Sequence, residues 1–273
     1  FEYQQALNEM VHRYIASTLG LLIIGLAVLS LLNRRDREQP RVLPWVLLGV
    51  VITQGLLGMF TVTLLLKPLV VTAHLAGGLT TLSMLWWLSL SPQKRELKAA
   101  ERPVRRLAII ALVMVAMQIL LGGWTSTNYA AAACSDFPQC QASWWPGMDF
   151  RNAFVLWRGL GIDYEGGVLS APARVAIHYS HRIGALMVTV VLVGLVIFAW
   201  WRGQTAAVRY AATAVLAALT LQLLIGMNLV WQGWPLWLGT AHNAGAALTL
   251  LALVTLLRLL TPRSPSGSIA MRA

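Results

Sequence analysis

Apolar residues run along this chain in long blocks, not in the alternating or one-faced patterns of a soluble fold. A helix rises about 1.5 Å per residue, so about 20 apolar residues cross roughly 30 Å of hydrocarbon. Seven blocks meet that length, at about residues 13–32, 42–62, 70–90, 104–124, 177–201, 207–230 and 238–260. The alternation over about ten residues that marks a membrane barrel strand is absent. The pattern predicts an all-α fold, a polytopic membrane helical bundle.

Composition agrees: 58% of residues are hydrophobic and 11% charged, where a soluble domain carries about a quarter charged. The net charge of +11 invites a nucleic-acid reading, but its distribution excludes one. Basic residues gather at Arg34, Arg35, Arg37 and Arg41, then at Lys94, Arg95, Lys98, Arg102, Arg105 and Arg106. Smaller groups follow at Arg202 and Arg209, and at Arg258, Arg263 and Arg272. These clusters lie between alternate spans, the positive-inside pattern, where they meet membrane lipids and fix topology. Loops 33–41, 91–103 and 202–206 and the C-terminal tail are therefore expected in the cytoplasm. The N-terminus, the 63–69 turn, the 125–176 loop and the 231–237 turn are expected outside. Both cysteines, Cys134 and Cys140, fall in the long outer loop, an oxidising setting that favours a disulfide.

Three segments recur in order. NEMVHRYIASTLGLL (8–22) aligns with IHYSHRIGALMVTV (177–190), TQGLLGMFTV (53–62) with LQLLIGMNLV (221–230), and VTAHLAGGLTTL (71–82) with GTAHNAGAALTL (239–250). The spacings match almost to the residue: His12 to Gln54 is 42 positions and His181 to Gln222 is 41, while Gln54–His74 and Gln222–His242 are both 20. Corresponding spans run in the same direction, so the repeat is a parallel duplication. It predicts an N-terminal half-bundle at 1–103 with three spans and a C-terminal half-bundle at 104–273 with four. The second half carries a leading helix, containing QILLGGWTSTN (118–128), with no counterpart in the first half. A symmetric ancestor would have four plus four spans, and the sequence opens on Phe1 and a polar lead-in. A first helix and its outer loop are expected upstream.

Four of the five histidines, His12, His74, His181 and His242, occupy matched positions near the outer start of spans. One histidine at an interface is ordinarily a hydrogen-bonded polar residue, but ionisable groups inside spans are costly. Two pairs at the same spacing point to ligation. Zinc or a di-metal centre would recruit carboxylates or thiolates as well, and the spans hold almost none. Two imidazoles on separate helices suit the axial positions of a haem iron. Small residues beside His74 (Ala73, Ala76, Gly77, Gly78) and His242 (Ala241, Ala244, Gly245, Ala246) fit a flat macrocycle, though they also serve helix packing. Arg13 and Arg182 could pair with haem propionates or snorkel to the interface. Three residues before His12 stands Glu9; at the same place before His181 stands His178. Glu9 shares a face with His12 and is a candidate for chemistry there, or a helix-start residue favoured by the dipole. The asymmetry suggests that one half reacts and the other binds or transfers electrons.

The EMVHR, AHLAGG, HYSHRIGA and AHNAGAAL segments, with the CSDFPQC loop, resemble the haem A synthase family over nearly the whole chain. The resemblance implies eight helices in two four-helix halves, of which this sequence lacks the first helix and its own cysteine-bearing loop. It implies an oxidoreductase that converts haem O to haem A by oxidising a porphyrin methyl to a formyl group, through a hydroxymethyl stage. Glu9 would be the catalytic carboxylate. His12 and His74, with Arg13, would bracket the substrate haem, and His181 and His242, with Arg182, would hold a haem b. Cys134 and Cys140 match the family's second, structural pair. Haem O synthase and a terminal haem-copper oxidase are the implied pathway partners, in the bacterial cytoplasmic (inner) membrane with the histidines toward the outer face; a homo-oligomer stays open. On residues alone, a di-haem electron-transfer cytochrome b without catalysis competes with this reading. A transporter fits less well, because few spans are broken by proline.

Overall fold

A computed structural model describes residues 2–33, 35, 39–90 and 97–261. Arg34, Arg37, Lys94, Arg95, Arg263 and Arg272 from the basic clusters lie outside the described residues. Among the described residues seven helices are long and apolar enough to cross a membrane. They are α1 (Glu2–Leu32), α2 (Leu43–Thr63), α3 (Pro68–Ser89), α4 (Arg102–Thr127), α6 (Ala171–Arg202), α7 (Ala206–Trp231) and α8 (Leu236–Leu259), with a single-turn helix α5 (Phe150–Ala153) in the long loop between α4 and α6. The polytopic bundle is as expected from the blocks.

Helix ends differ from hydropathy ends at two places. Helix α1 begins 11 residues before its apolar block and α6 six residues before, at Ala171. Hydropathy marks where lipid begins, whereas a helix continues into the interfacial water until a cap stops it. His12 and His181 each lie ten residues past their helix start, and His74 and His242 each six past theirs. The first two are thus deeper along their helices than the first turn or two expected from the blocks.

Proline sits in the first turn of α2, α3, α4 and α6, where its missing N–H removes nothing and its fixed φ is already helical. Helices α2, α4 and α7 stop in the same way. The backbone N–H groups of Leu66, Ala130 and Trp234 reach back to the carbonyls of Thr61, Thr125 and Leu229 at 2.9, 2.9 and 3.0 Å. Leu65, Tyr129 and Gly233 bond Val62, Ser126 and Val230 at 3.1, 3.0 and 3.2 Å, each with positive φ. This is the Schellman pattern. Each stop stands 12 residues past a glutamine, Gln54, Gln118 or Gln222.

Helices α4 and α7 both pack against α6 and α8, so α6 and α8 face each other across the diagonal of a four-helix bundle. The large buried cluster lies in this bundle, with Val104, Leu192, Leu195, Val215, Leu253 and Leu256 at its centre. Helix α3 joins it through α4 and α8, α2 packs on α3, and α1 on α2. Diagonal helices leave space for a group between them, which is how bundles house cofactors.

Candidate functional site

The four matched histidines form two pairs. His12 on α1 and His74 on α3 have ring centroids 6.3 Å apart and ring planes at 70°. His181 on α6 and His242 on α8 stand at 6.4 Å and 76°. Metal–imidazole bonds run about 2 Å, so two rings sharing an ion between them have centroids roughly 6 Å apart. Both pairs have that separation. Among the described residues no group of three His, Cys, Asp or Glu side chains is placed to hold a bare ion. Two imidazoles are instead the donor set for an iron whose other four ligands come from a porphyrin, and these residues fit such a group. His12 is exposed, and the other three are partly buried.

One seat is built three times beneath these rings. A methyl group added at Gly58, Gly122 or Gly226 would lie 3.3, 3.1 or 3.0 Å from Cε1 of His74, His181 or His242. Conversely, a methyl at Gly77, Gly184 or Gly245 would overlap the side-chain amide of Gln54, Gln118 or Gln222. The glutamine and its glycine four residues on come from α2, α4 or α7; the histidine and its glycine three residues on come from α3, α6 or α8. Ring packs into one glycine notch and amide into the other. Gly77 and Gly245 therefore receive glutamines, which is a more specific role than flanking a macrocycle. Gln118 and its glycine went unread in the sequence as the partners of Gln54 and Gln222. The signal was present as Gln-x-x-x-Gly in QGLLG, QILLG and QLLIG. The 43-residue connection 128–170 hides it, because α4 and α6 are adjacent in space but not in sequence.

Residues 1–254 match the pattern of the cytochrome oxidase assembly protein family, COX15-CtaA. The chain belongs to that family. It is 39% identical to a haem A synthase of Shewanella oneidensis over 98% of this chain and 80% of that protein. It is 32% identical to a haem A synthase of Caulobacter vibrioides over 90% of this chain and 71% of the relative. A haem A synthase of Flavobacterium psychrophilum is 26% identical over 89% and 70%. The match spans both histidine pairs.

Within this family member the two His-Arg pairs have different surroundings. Arg13 forms an ion pair with Glu9 one turn away, both exposed. Arg182 is turned into the loop between α4 and α6. Its Nη1 donates to the carbonyl of Gln139 at 2.7 Å, and its Nη2 to those of Asp136 at 2.8 Å and Cys134 at 3.3 Å. Its Nε donates to Nε2 of His178 at 2.9 Å. That leaves the His178 proton on Nδ1, which donates to the carbonyl of Ala130 at 3.1 Å. His178, which takes the place of Glu9 in the second half, is a buried brace between α6 and the loop. Cys134 and Cys140 are joined in a disulfide within that loop, as expected.

Proposed function

We propose that this chain is a haem A synthase of the bacterial inner membrane, an oxidoreductase that oxidises a methyl group of haem O to the formyl group of haem A for cytochrome oxidase assembly. Family membership and the relatives named haem A synthase support the activity. The observation that carries the site is the pair of matched imidazole separations, 6.3 and 6.4 Å.

In this reading residues 1–103 form the reacting half and 104–273 the resident-haem half. His12 and His74 bracket the iron of haem O and so fix where the ring, and its methyl, can lie. Glu9, on the His12 face one turn away, is the carboxylate able to take a proton at the reacting edge, and Arg13 pairs with it or with a propionate of the substrate. His181 and His242 would hold a haem b, which would supply one-electron redox chemistry when bound. Arg182, which follows His181 and bonds His178 and three loop carbonyls, would serve that haem by holding the 134–139 segment in place. Basic loops and the C-terminus face the cytoplasm, and the histidines lie toward the outer face. Haem O synthase supplies the substrate, and a terminal haem-copper oxidase takes the product.

The test is haem extraction from membranes that contain haem O synthase and no other source of haem A. The chain is expected to yield haem A, His12→Ala and His74→Ala to leave haem O unconverted, and Glu9→Ala to cut conversion at least tenfold. If the wild-type chain carries bis-histidine haem but leaves haem O untouched, it is an electron-transfer cytochrome and the synthase reading is wrong. Normal haem A from Glu9→Ala would remove Glu9 from the chemistry.

A further inference from the structure

The glutamines of the triple seat have no part in the function above, yet each touches a histidine. We propose that Gln118 and Gln222 are positioning residues: they hold the axial imidazoles of the C-terminal half in one tautomer and one ring plane, and thereby set the reduction potential of the haem bound there. This inference rests on the reading of His181 and His242 as haem ligands.

A histidine that ligates through Nε2 carries its proton on Nδ1. The acceptor for that proton orients the ring and raises its basicity. The amide of Gln118 stands beside that place with its nitrogen toward the ring: Nε2 lies 3.0 Å from Nδ1 of His181 and donates at 2.8 Å to the His181 carbonyl. For Oε1 to accept from Nδ1–H the amide turns about its last bond, which its similar-sized oxygen and nitrogen allow, and gives up the bond to the His181 carbonyl. At the other ligand, Gln222 Nε2 lies 3.3 Å from His242 Nε2, while Gln222 Oε1 and His242 Nδ1 are both buried without a partner. An orphaned acceptor and an orphaned ring nitrogen on touching groups are a pair waiting to form. Turning ring and amide so that Oε1 accepts from Nδ1–H satisfies both and leaves Nε2 bare for iron.

The glycines fix where ring and amide stand, while each can still turn about its last side-chain bond. Gly122 and Gly226 bring each ring against the helix backbone, and Gly184 and Gly245 bring each amide there. Neither group can tip away without losing its contact. A stronger acceptor at Nδ1 gives the imidazole more anionic character and stabilises ferric iron, which lowers the potential. Loss of the acceptor raises it. The Gln54, Gly58 and His74 seat has the same packing, and its His74 Nδ1 is likewise buried and unpartnered.

The experiment uses the full chain purified in detergent with the haem it acquires on expression. Redox titration and electron paramagnetic resonance are run on wild type, Gln118→Leu, Gln118→Glu, Gln222→Leu and Gln222→Glu, with His181→Ala and His242→Ala as ligand controls. The Leu variants are expected to titrate above wild type and the Glu variants below it, with altered g-values and the low-spin haem retained. Opposite shifts from side chains of similar size separate positioning from general disturbance. If a Leu variant fails to fold, the Glu variant, which keeps the shape of glutamine, decides. Wild-type potentials and g-values in the folded Leu and Glu variants overturn the glutamine proposal, provided the histidine controls lose low-spin haem. Histidine controls that keep the wild-type spectrum overturn the ligand reading instead.

Discussion

Arg13 and Arg182 occupy the same place after a histidine, and their surroundings give them different work. Arg13 is exposed and bonded to Glu9, so its pairing is worth little in water and it is free to exchange partners. Arg182 spends four donor contacts on His178 and on three carbonyls of the 134–139 segment. Hydrogen bonds from a charged donor contribute about 1.5–3 kcal/mol each, and they are not additive. Arg182→Ala is therefore expected to cost roughly 3 kcal/mol of stability, read as a lower melting temperature in detergent. Arg13→Ala should leave the melting temperature unchanged. Equal losses from the two variants would contradict the different roles. The sequence showed both arginines and left both with the same two readings, because a residue's neighbours across 46 or 48 positions are not visible in its local pattern.

At the scale of elements the unit is a hairpin of one glutamine helix and one histidine helix, seen in α2–α3, α4–α6 and α7–α8. Its joint is the paired glycine notch, and an added methyl there displaces the amide end of a glutamine side chain. Gly77→Ala places a carbon where the Gln54 amide lies and makes that flexible end swing out, so the cost is expected at about 1 kcal/mol, the low end for overpacking. Thermal unfolding should show that loss, and it should shrink in the Gly77→Ala/Gln54→Ala double variant. An undiminished loss would mean that the notch is not what the methyl disturbs. The disulfide loop depends on a second local device. Gln141 and Ala142 both hold positive φ, near 56°, and their N–H groups donate to Asp136 at 2.6 and 2.9 Å. The Ala142 N–H in first place, with Gln141 and Arg182 adding, holds the Asp136 carboxyl below the usual aspartate range. A depressed carboxyl pKa contributes stability that is complete above the unfolded value and lost as pH falls through the folded one. Amide exchange at Gln141 and Ala142 should therefore accelerate below about pH 4, and in Asp136→Asn it should be fast throughout. Pattern alone placed the seven spans within a few residues, since lipid enforces helix length. It could not place the starts of α1 and α6, because both helices run on past the apolar block that marks the span.

Across the whole molecule the loop between α4 and α6 ties the two halves together. Lys67, buried in the turn between α2 and α3, donates to the carbonyl of Gly159 and lies over the Trp157 ring, 3.3 Å from its centroid. Tyr164 bonds the Leu65 carbonyl nearby at 3.2 Å. Lys67→Ala should release this segment, and limited proteolysis should then cut between Trp157 and Tyr164 where the wild type resists; unchanged resistance would show the loop held by other contacts. The sequence by itself determined the membrane bundle, the four matched histidines and the family, because span length and repeat spacing are one-dimensional signals. Only the tertiary structure decided that His12 meets His74 and His181 meets His242 across the bundle, that three glutamines stand beneath the rings, and that Arg182 belongs to the loop. Those are contacts between helices that the chain visits far apart, and packing in three dimensions, not spacing along the chain, selects them.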